Sequence, residues 1–263
     1  MKNKMAIKLR SRREIEIMKK AGAVVADVLL KLKQSATAGI STAELNRIAE
    51  EMAISAGAET LFKGVENPYG YRPFPAAICT SINEQVVHGI PSDKVKLREG
   101  DILSVDFGVK LEGYCGDAAI TIAIGNIDRR RQQLMDVTSQ MLDTAIEHCK
   151  PGEKWSRIAG LMQNIAESAG FSVVTDFVGH GIGTEMHEEP KVPNYVSREL
   201  LNHDILLQEG IIIAVEPMVN MGTSEVVTLK DGWTVATRDG KPSAHFEHTI
   251  AITKNGCEVL TVK

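Results

Sequence analysis

Glu209-Gly-Ile-Ile-Ile-Ala-Val-Glu-Pro-Met218 repeats an earlier stretch, Glu99-Gly-Asp-Ile-Leu-Ser-Val-Asp106. Between Glu99 and Glu209, 110 residues apart, the shared pattern is E-G-x-I-x-x-V followed by a carboxylate, so Asp106 corresponds to Glu216. A second pair obeys the same logic: Asp117-Ala-Ala-Ile-Thr-Ile122 resembles Glu247-His-Thr-Ile-Ala-Ile252. In each half an acid ends an aliphatic, β-rich run and a second strand brings another. A carboxylate in that position is costly to bury without a cation or hydrogen-bond donors. Four acids from two similar halves therefore read as a metal site.

The elements around these runs also occur twice. Ser11-Arg-Arg-Glu14 and Ser41-Thr-Ala-Glu44 are capping-box patterns. They predict one helix over about 11–34 and a second that stops at Gly57. Asp128 can cap a third helix, running to about Cys149. Beyond Pro151-Gly152, residues Ile158, Leu161, Met162, Ile165, Ala166 and Ala169 repeat the spacing of Leu45, Ile48, Ala49, Met52, Ala53 and Ala56. Gly152 and Gly170 overlay Gly39 and Gly57 at a shift of 113 residues. With the E-G-x-I-x-x-V match, this reads as a structural duplication. The expected fold is α+β, with pseudo-two-fold symmetry: helices on one face of a curved antiparallel sheet, four acids on the other. The halves are roughly 11–125 and 128–256, in a single catalytic domain over 1–263.

Residues 102–109 and 114–124 predict a hairpin around the turn 110–113. With a two- or four-residue loop centred there, Asp106 and Asp117 face each other, since they are equidistant from Leu111/Glu112, with Cβ atoms ~5 Å apart, close enough to share a cation. Residues 78–90 are strand-like, with a turn at 81–84, and end in Val87-His88-Gly89. The segment 63–75, rich in Gly, Pro and Tyr, is too long for a simple turn and is expected to cover something.

His180 lies in Gly179-His-Gly-Ile-Gly183, where glycines let the backbone bring an imidazole close to a site. A phosphate-cradling loop is the rival, but the P-loop Lys-Ser/Thr is missing. Asp106-Phe-Gly108 resembles a kinase triplet, without the glycine-rich loop that should accompany it. Oxygen-rich ligands with one imidazole suit a pair of Mn, Fe, Co or Zn ions that activates water for hydrolysis. His88 and His187 sit in Gly/Pro-rich loops near these segments. His245 and His248 flank Glu247 as possible supports for it, whereas His148 and His203 read as structural.

Bulk properties exclude other classes. A net charge of −4 gives no electrostatic footprint for nucleic acid. The basic residues Lys2, Lys4, Lys8, Arg10, Arg12 and Arg13, and the run Arg129–Arg131, read as solvated faces. No apolar stretch approaches the ~20 residues of a membrane span, and no signal-peptide core is present. Cys79, Cys115, Cys149 and Cys257 are scattered, which argues against a disulfide framework and fits a reducing cytoplasm.

The motifs VHGIP, VDFG, GD, GHGIG…HEEP, VEPM and EHT, in this order, resemble those of the methionine aminopeptidases over nearly the whole chain. The resemblance implies the pita-bread fold and removal of initiator methionine with a small second residue preferred. Carried over residue by residue, it implies that Asp106, Asp117, His180, Glu216 and Glu247 hold two divalent ions. Asp117 and Glu247 would bridge them, with Asp106 on one ion and His180 and Glu216 on the other. His88 and His187 would contact substrate, and Glu216 would shuttle a proton. Tyr71, Phe74, Cys79, Met186 and Trp233 would form the methionine pocket. Only 36 residues separate His180 from Glu216, as in the compact bacterial type I form.

The chain departs from the common pattern at Ala118-Ala119, where Thr-Ser is usual, at His245-Phe246 for Gln-Tyr, and at Met186 for Phe. These changes bear on metal affinity and side-chain tolerance. A proline-directed peptidase on the same fold, or a non-catalytic binding relative, is the alternative. The expected partners are nascent polypeptide N-termini and the ribosome, with no membrane and no specific nucleic acid, and the protein is expected to be a monomer.

Overall fold

The computed structural model describes residues 7–263; Lys2 and Lys4 lie outside that range. Helix α1 (Arg12–Ser35) opens with a complete capping box. The Ser11 hydroxyl accepts from the Glu14 N–H, and the Glu14 carboxylate accepts from the Ser11 N–H at 2.7 Å. Helix α2 (Thr42–Ser55) begins where the Ser41 hydroxyl accepts from the Glu44 N–H. Asp128 caps α3 (Arg129–His148) by accepting from the Arg130 and Arg131 N–H groups. Helix α4 (Trp155–Ser168) has no side-chain cap at Lys154.

The duplication is visible in the backbone. Gly57 and Gly170 end α2 and α4 with φ of 69° and 73°, a left-handed conformation that side chains resist. Gly100 and Gly210, in the two E-G motifs, have φ of 91° and 92°.

The hairpin forms, with one correction. Its first strand runs two residues further, Ile102–Leu111, and the second spans Tyr114–Ala123, because the turn is tightened to Glu112-Gly113, both at positive φ as a type I′ turn requires. Consequently Asp117 lies opposite Gly108, and Asp106 opposite Ala119. The two aspartates are diagonal neighbours on one face instead of direct partners.

Both halves build one nine-stranded antiparallel sheet. Its path runs Glu59–Thr60, Ile102–Leu111, Tyr114–Ala123, Glu247–Thr253, Ile212–Val215, Gly179–Gly181, Glu188–Val192, with Cys79–Ile82 and Gly256–Val259 joined at its sides. Period-two alternation sorts the faces. Leu103, Val105, Phe107 and Val109 pack with Ala118, Ile120 and Ile122 against α1 and α2. Ile213, Val215, Ile250 and Ile252 pack against α3 and α4. Each such large side chain contributes about 1.5–3 kcal/mol by leaving water. The residues between them face the other way, and the acids are among these. Ala118 therefore belongs to the helical core, and only Ala119 of the Ala118-Ala119 departure lies on the acidic face.

Arg10 corrects another expectation. It is no solvated residue: its side chain is 9% exposed and is ion-paired with Glu188. Among the described residues, no helix is long and apolar enough to cross a membrane.

Candidate active site

Strand register assembles the site. Asp106 pairs with Ala119, Ala119 with Glu247, and His248 with Val215, which brings Glu216 beside Glu247. Asp117 lies two residues from Ala119 on the same face, and His180 sits opposite Ala214. Gly108 makes room for Asp117, since a Cβ there would lie 2.9 Å from the Asp117 Oδ1. The pairing of Tyr114–Ala123 with Glu247–Thr253 covers Ala118 and Ala119, and beside it the Thr249 hydroxyl serves Asp117, accepting from its N–H (3.1 Å) and donating to its carbonyl (2.8 Å).

Asp117, His180 and Glu247 each place one potential ligand atom within 4.8 Å of the others. His180 Nε2 is 3.5 Å from Glu216 Oε1. The His180 Nδ1 faces the Gly181 carbonyl at 3.0 Å and donates to it in the neutral tautomer, so Nε2 is left as an acceptor. Asp106 Oδ1, Asp117 Oδ1 and Glu247 Oε1 are buried with no hydrogen-bond partner. Orphaned carboxylate oxygens are expensive unless a cation meets them. This donor set, oxygen-rich with one imidazole, fits divalent transition-metal ions.

The electrostatics agree. Burial, reinforced by neighbouring acids, pushes the carboxyls of Asp106, Glu216 and Glu247 well above their usual range. Burial pushes Asp117 up to about 7. Burial, with His187 nearby, lowers both His88 and His180 to about 4, and burial lowers His187 as well. All three imidazoles are therefore neutral near pH 7, the form in which a ring nitrogen can donate or ligate.

A cavity opens directly over the acids. Its polar floor is Asp106, Asp117, His180, Glu216 and Glu247, with His88 and His187 at the side. Its apolar wall is Phe62, Val65, Phe74, Cys79, Met186 and Trp233. Trp233 meets Phe74 edge-on at 5.3 Å and donates its Nε1–H to the Arg72 carbonyl at 2.8 Å. His88 holds a left-handed backbone (φ 59°) beside Gly89, where a Cβ would strike the Thr80 carbonyl oxygen at 2.1 Å. His187 packs edge-on against His180, centroids 4.4 Å apart.

Not every expected residue is here. Tyr71 is half exposed and does not line the cavity; its ring covers Gly232. Phe62 and Val65 take its place, from the irregular segment and the residue just before it. His248 points off the site, with Nδ1 2.8 Å from the Thr261 hydroxyl. His245 is buried, and its Nε2 stands 3.9 Å from Glu247 Oε2, beyond hydrogen-bond distance.

Residues 16–254 match metallopeptidase family M24. A protein named methionine aminopeptidase from Aquifex aeolicus is 43% identical over 98% of this chain and 99% of its own length. The crystal structure of a methionine aminopeptidase from Thermotoga maritima superposes with a TM-score of 0.92 at 41% identity, covering 98% of this chain and all of that one. A prolidase from Pyrococcus horikoshii, at 24% identity and a TM-score of 0.76, shares the fold alone, and 64% of its chain is covered. The pita-bread fold implied by the motifs is thus the fold observed, and the chain belongs to the methionine aminopeptidases of metallopeptidase family M24.

Proposed function

We propose that the protein releases the N-terminal methionine of nascent polypeptides by hydrolysing the first peptide bond, with a small second residue preferred. One observation carries the reading: a row of buried, unpartnered carboxylate oxygens forms the floor of an apolar cavity. The family assignment supports the reaction. Asp106, Asp117, His180, Glu216 and Glu247 are proposed to hold two divalent ions, drawn from Co, Mn, Fe or Zn. When bound, such ions polarise a carbonyl and lower the pKa of water.

This chain's residues do the rest. Phe62, Phe74, Met186 and Trp233, with Cys79 at the base, enclose an unbranched thioether, for which aromatic and sulfur contacts are well suited. His88 and His187, neutral and able to donate through a ring N–H, stabilise negative charge growing on the carbonyl oxygen. A Glu216 oxygen accepts the proton of the attacking water and passes it to the departing amine. A bulky second residue would collide with the loops carrying His88 and His187, hence the preference. Acids from both halves meet in one sheet, so the two halves act as a single catalytic domain. Action in the cytoplasm, as a monomer receiving chains from the ribosome, belongs to the same proposal.

Peptide turnover tests the reading. After anaerobic reconstitution with Mn, Co or Fe, Met-Ala-Ser should lose methionine rapidly, Met-Leu-Ser slowly and Ala-Pro not at all. His88→Ala should abolish most of the turnover. Cleavage before proline would instead assign a proline-directed peptidase. Metal uptake without turnover would assign a binding protein.

A further inference from the structure

From Gly183 to His187 the chain has no regular structure, yet it carries Met186 and His187 into the cavity. A buried carboxylate organises it. Glu188 Oε1 accepts from the Thr184 N–H (3.1 Å), the Thr184 hydroxyl (3.2 Å) and the Glu185 N–H (3.3 Å). From the other side Arg10 Nη2 lies 2.6 Å from Oε1 and 2.7 Å from Oε2, with Lys8 Nζ 3.3 Å from Oε1. The Arg10 and Glu188 side chains are 9% and 8% exposed. In such a setting the ionic hydrogen bond is strong, and either charge left alone is costly.

Arg10 is itself fixed on several sides. Its backbone N–H donates to the Gly210 carbonyl at 2.7 Å, at the start of the run that ends in Glu216. Its guanidinium fills the space beside Gly183, where a Cβ would fall 2.1 Å from Nη2. Nη1 stands 3.5 Å from Glu14 Oε1, which also accepts from the Tyr114 hydroxyl at 3.0 Å. Held so firmly, Arg10 can impose a position on the loop.

We propose that Arg10 is a positioning residue for the reaction: its ion pair with Glu188 sets the 183–188 loop and thereby the places of His187 and Met186. Arg10 touches neither substrate nor metal ligands. The inference rests on the reading of the cavity as the methionine-releasing site, and its test separates the two.

The experiment compares kcat and KM on Met-Ala-Ser, metal content, and amide exchange of 184–188. It uses wild type, Arg10→Ala, Arg10→Lys, Glu188→Gln, His187→Ala and the Arg10→Ala/His187→Ala pair. Because small misplacements of reacting groups are expensive, Arg10→Ala should lower kcat by roughly tenfold to a hundredfold. Glu188→Gln, which weakens the same ion pair, should lower it in the same direction. Arg10→Lys should recover part of the loss, since it keeps the charge and not the planar geometry. Amides 184–188 should exchange faster, with metal content unchanged. In the His187→Ala background, Arg10→Ala should add less than about a twofold effect, because the residue it positions is gone.

A purely structural ion pair would give additive losses in that background, and this outcome overturns the proposal. So does an Arg10→Ala protein with wild-type kcat or wild-type amide exchange. Arg47→Ala, which removes an exposed ion pair with Asp93, serves as the unaffected control. If wild type releases no methionine, the functional reading fails, and amide exchange alone judges whether Arg10 holds the loop.

Discussion

Gly108→Ala places a methyl group against a proposed ligand at a known distance. The new Cβ would stand 2.9 Å from Asp117 Oδ1, 3.2 Å from its Cγ and 3.2 Å from Leu61 Cδ1. Ordinary van der Waals contact begins at 3.4 Å. The leucine methyl can turn aside, but the carboxylate must retreat by roughly 0.5 Å to restore contact distance. Gly108 has no positive φ, so backbone strain adds nothing. Metal–ligand distances tolerate only about 0.2 Å, and disturbing a ligand's surroundings typically weakens binding by about 10–100-fold. Titrating Mn(II) into chelator-treated protein should show a loss in that range. Gly116→Ala is the matched control. Its Cβ would meet the Gly22 nitrogen in α1 at 2.9 Å, on the sheet face opposite the Asp117 side chain. It should cost about 1–3 kcal/mol in urea unfolding through overpacking, with metal affinity near wild type. If Gly108→Ala binds Mn(II) as wild type does, the placement of Asp117 as a ligand is refuted.

Three further substitutions have defined outcomes. Thr249→Val removes the hydroxyl that satisfies both backbone groups of Asp117, and each orphan should cost about 1–3 kcal/mol in urea unfolding, with Thr249→Ser close to wild type. Trp155→Ala deletes a fully buried ring whose Nε1–H donates to the Pro193 carbonyl at 2.7 Å; about 3–5 kcal/mol should be lost. Glu14 is held down to about 2, from an ordinary 4.5, chiefly by the Ser11 N–H and hydroxyl. A depressed folded-state pKa stabilises above the unfolded value, and the effect fades as pH falls through the folded one. The difference between wild type and Glu14→Gln, about 1 kcal/mol at neutral pH, should therefore shrink between pH 4.5 and pH 2. A pH-independent difference would contradict the assignment.

Local signals in the chain were strong enough to read the fold. Ser11, Glu14, Ser41 and Asp128 announced helix starts, Gly57 and Gly170 their stops, and the repeated E-G-x-I-x-x-V gave the duplicated strands. Ala118 and Ala119 were read together as one departure beside the acids, although neighbours in a strand face opposite ways, and the structure leaves only Ala119 on the acidic face. The pairing of Asp106 and Asp117 was misplaced because a tight Glu112-Gly113 turn shifts register by one residue on each strand, and spacing alone does not choose the turn. Tyr71 and Phe62 could not be told apart as pocket residues, since both are aromatics near an irregular segment whose path depends on tertiary contacts such as Asn67 to the Gly232 carbonyl. Arg10 and Glu188 lie 178 residues apart, and no local pattern connects them.

The most direct measurement is methionine release from Met-Ala-Ser while Mn(II) or Co(II) is titrated into chelated wild type, Asp117→Asn and Glu247→Gln. Turnover that is absent without metal, saturates in wild type and is lost or shifted to much higher metal in both variants is the expected result. Turnover in the metal-free protein, or variants that respond to metal as wild type does, would contradict a metal-dependent site built on these carboxylates.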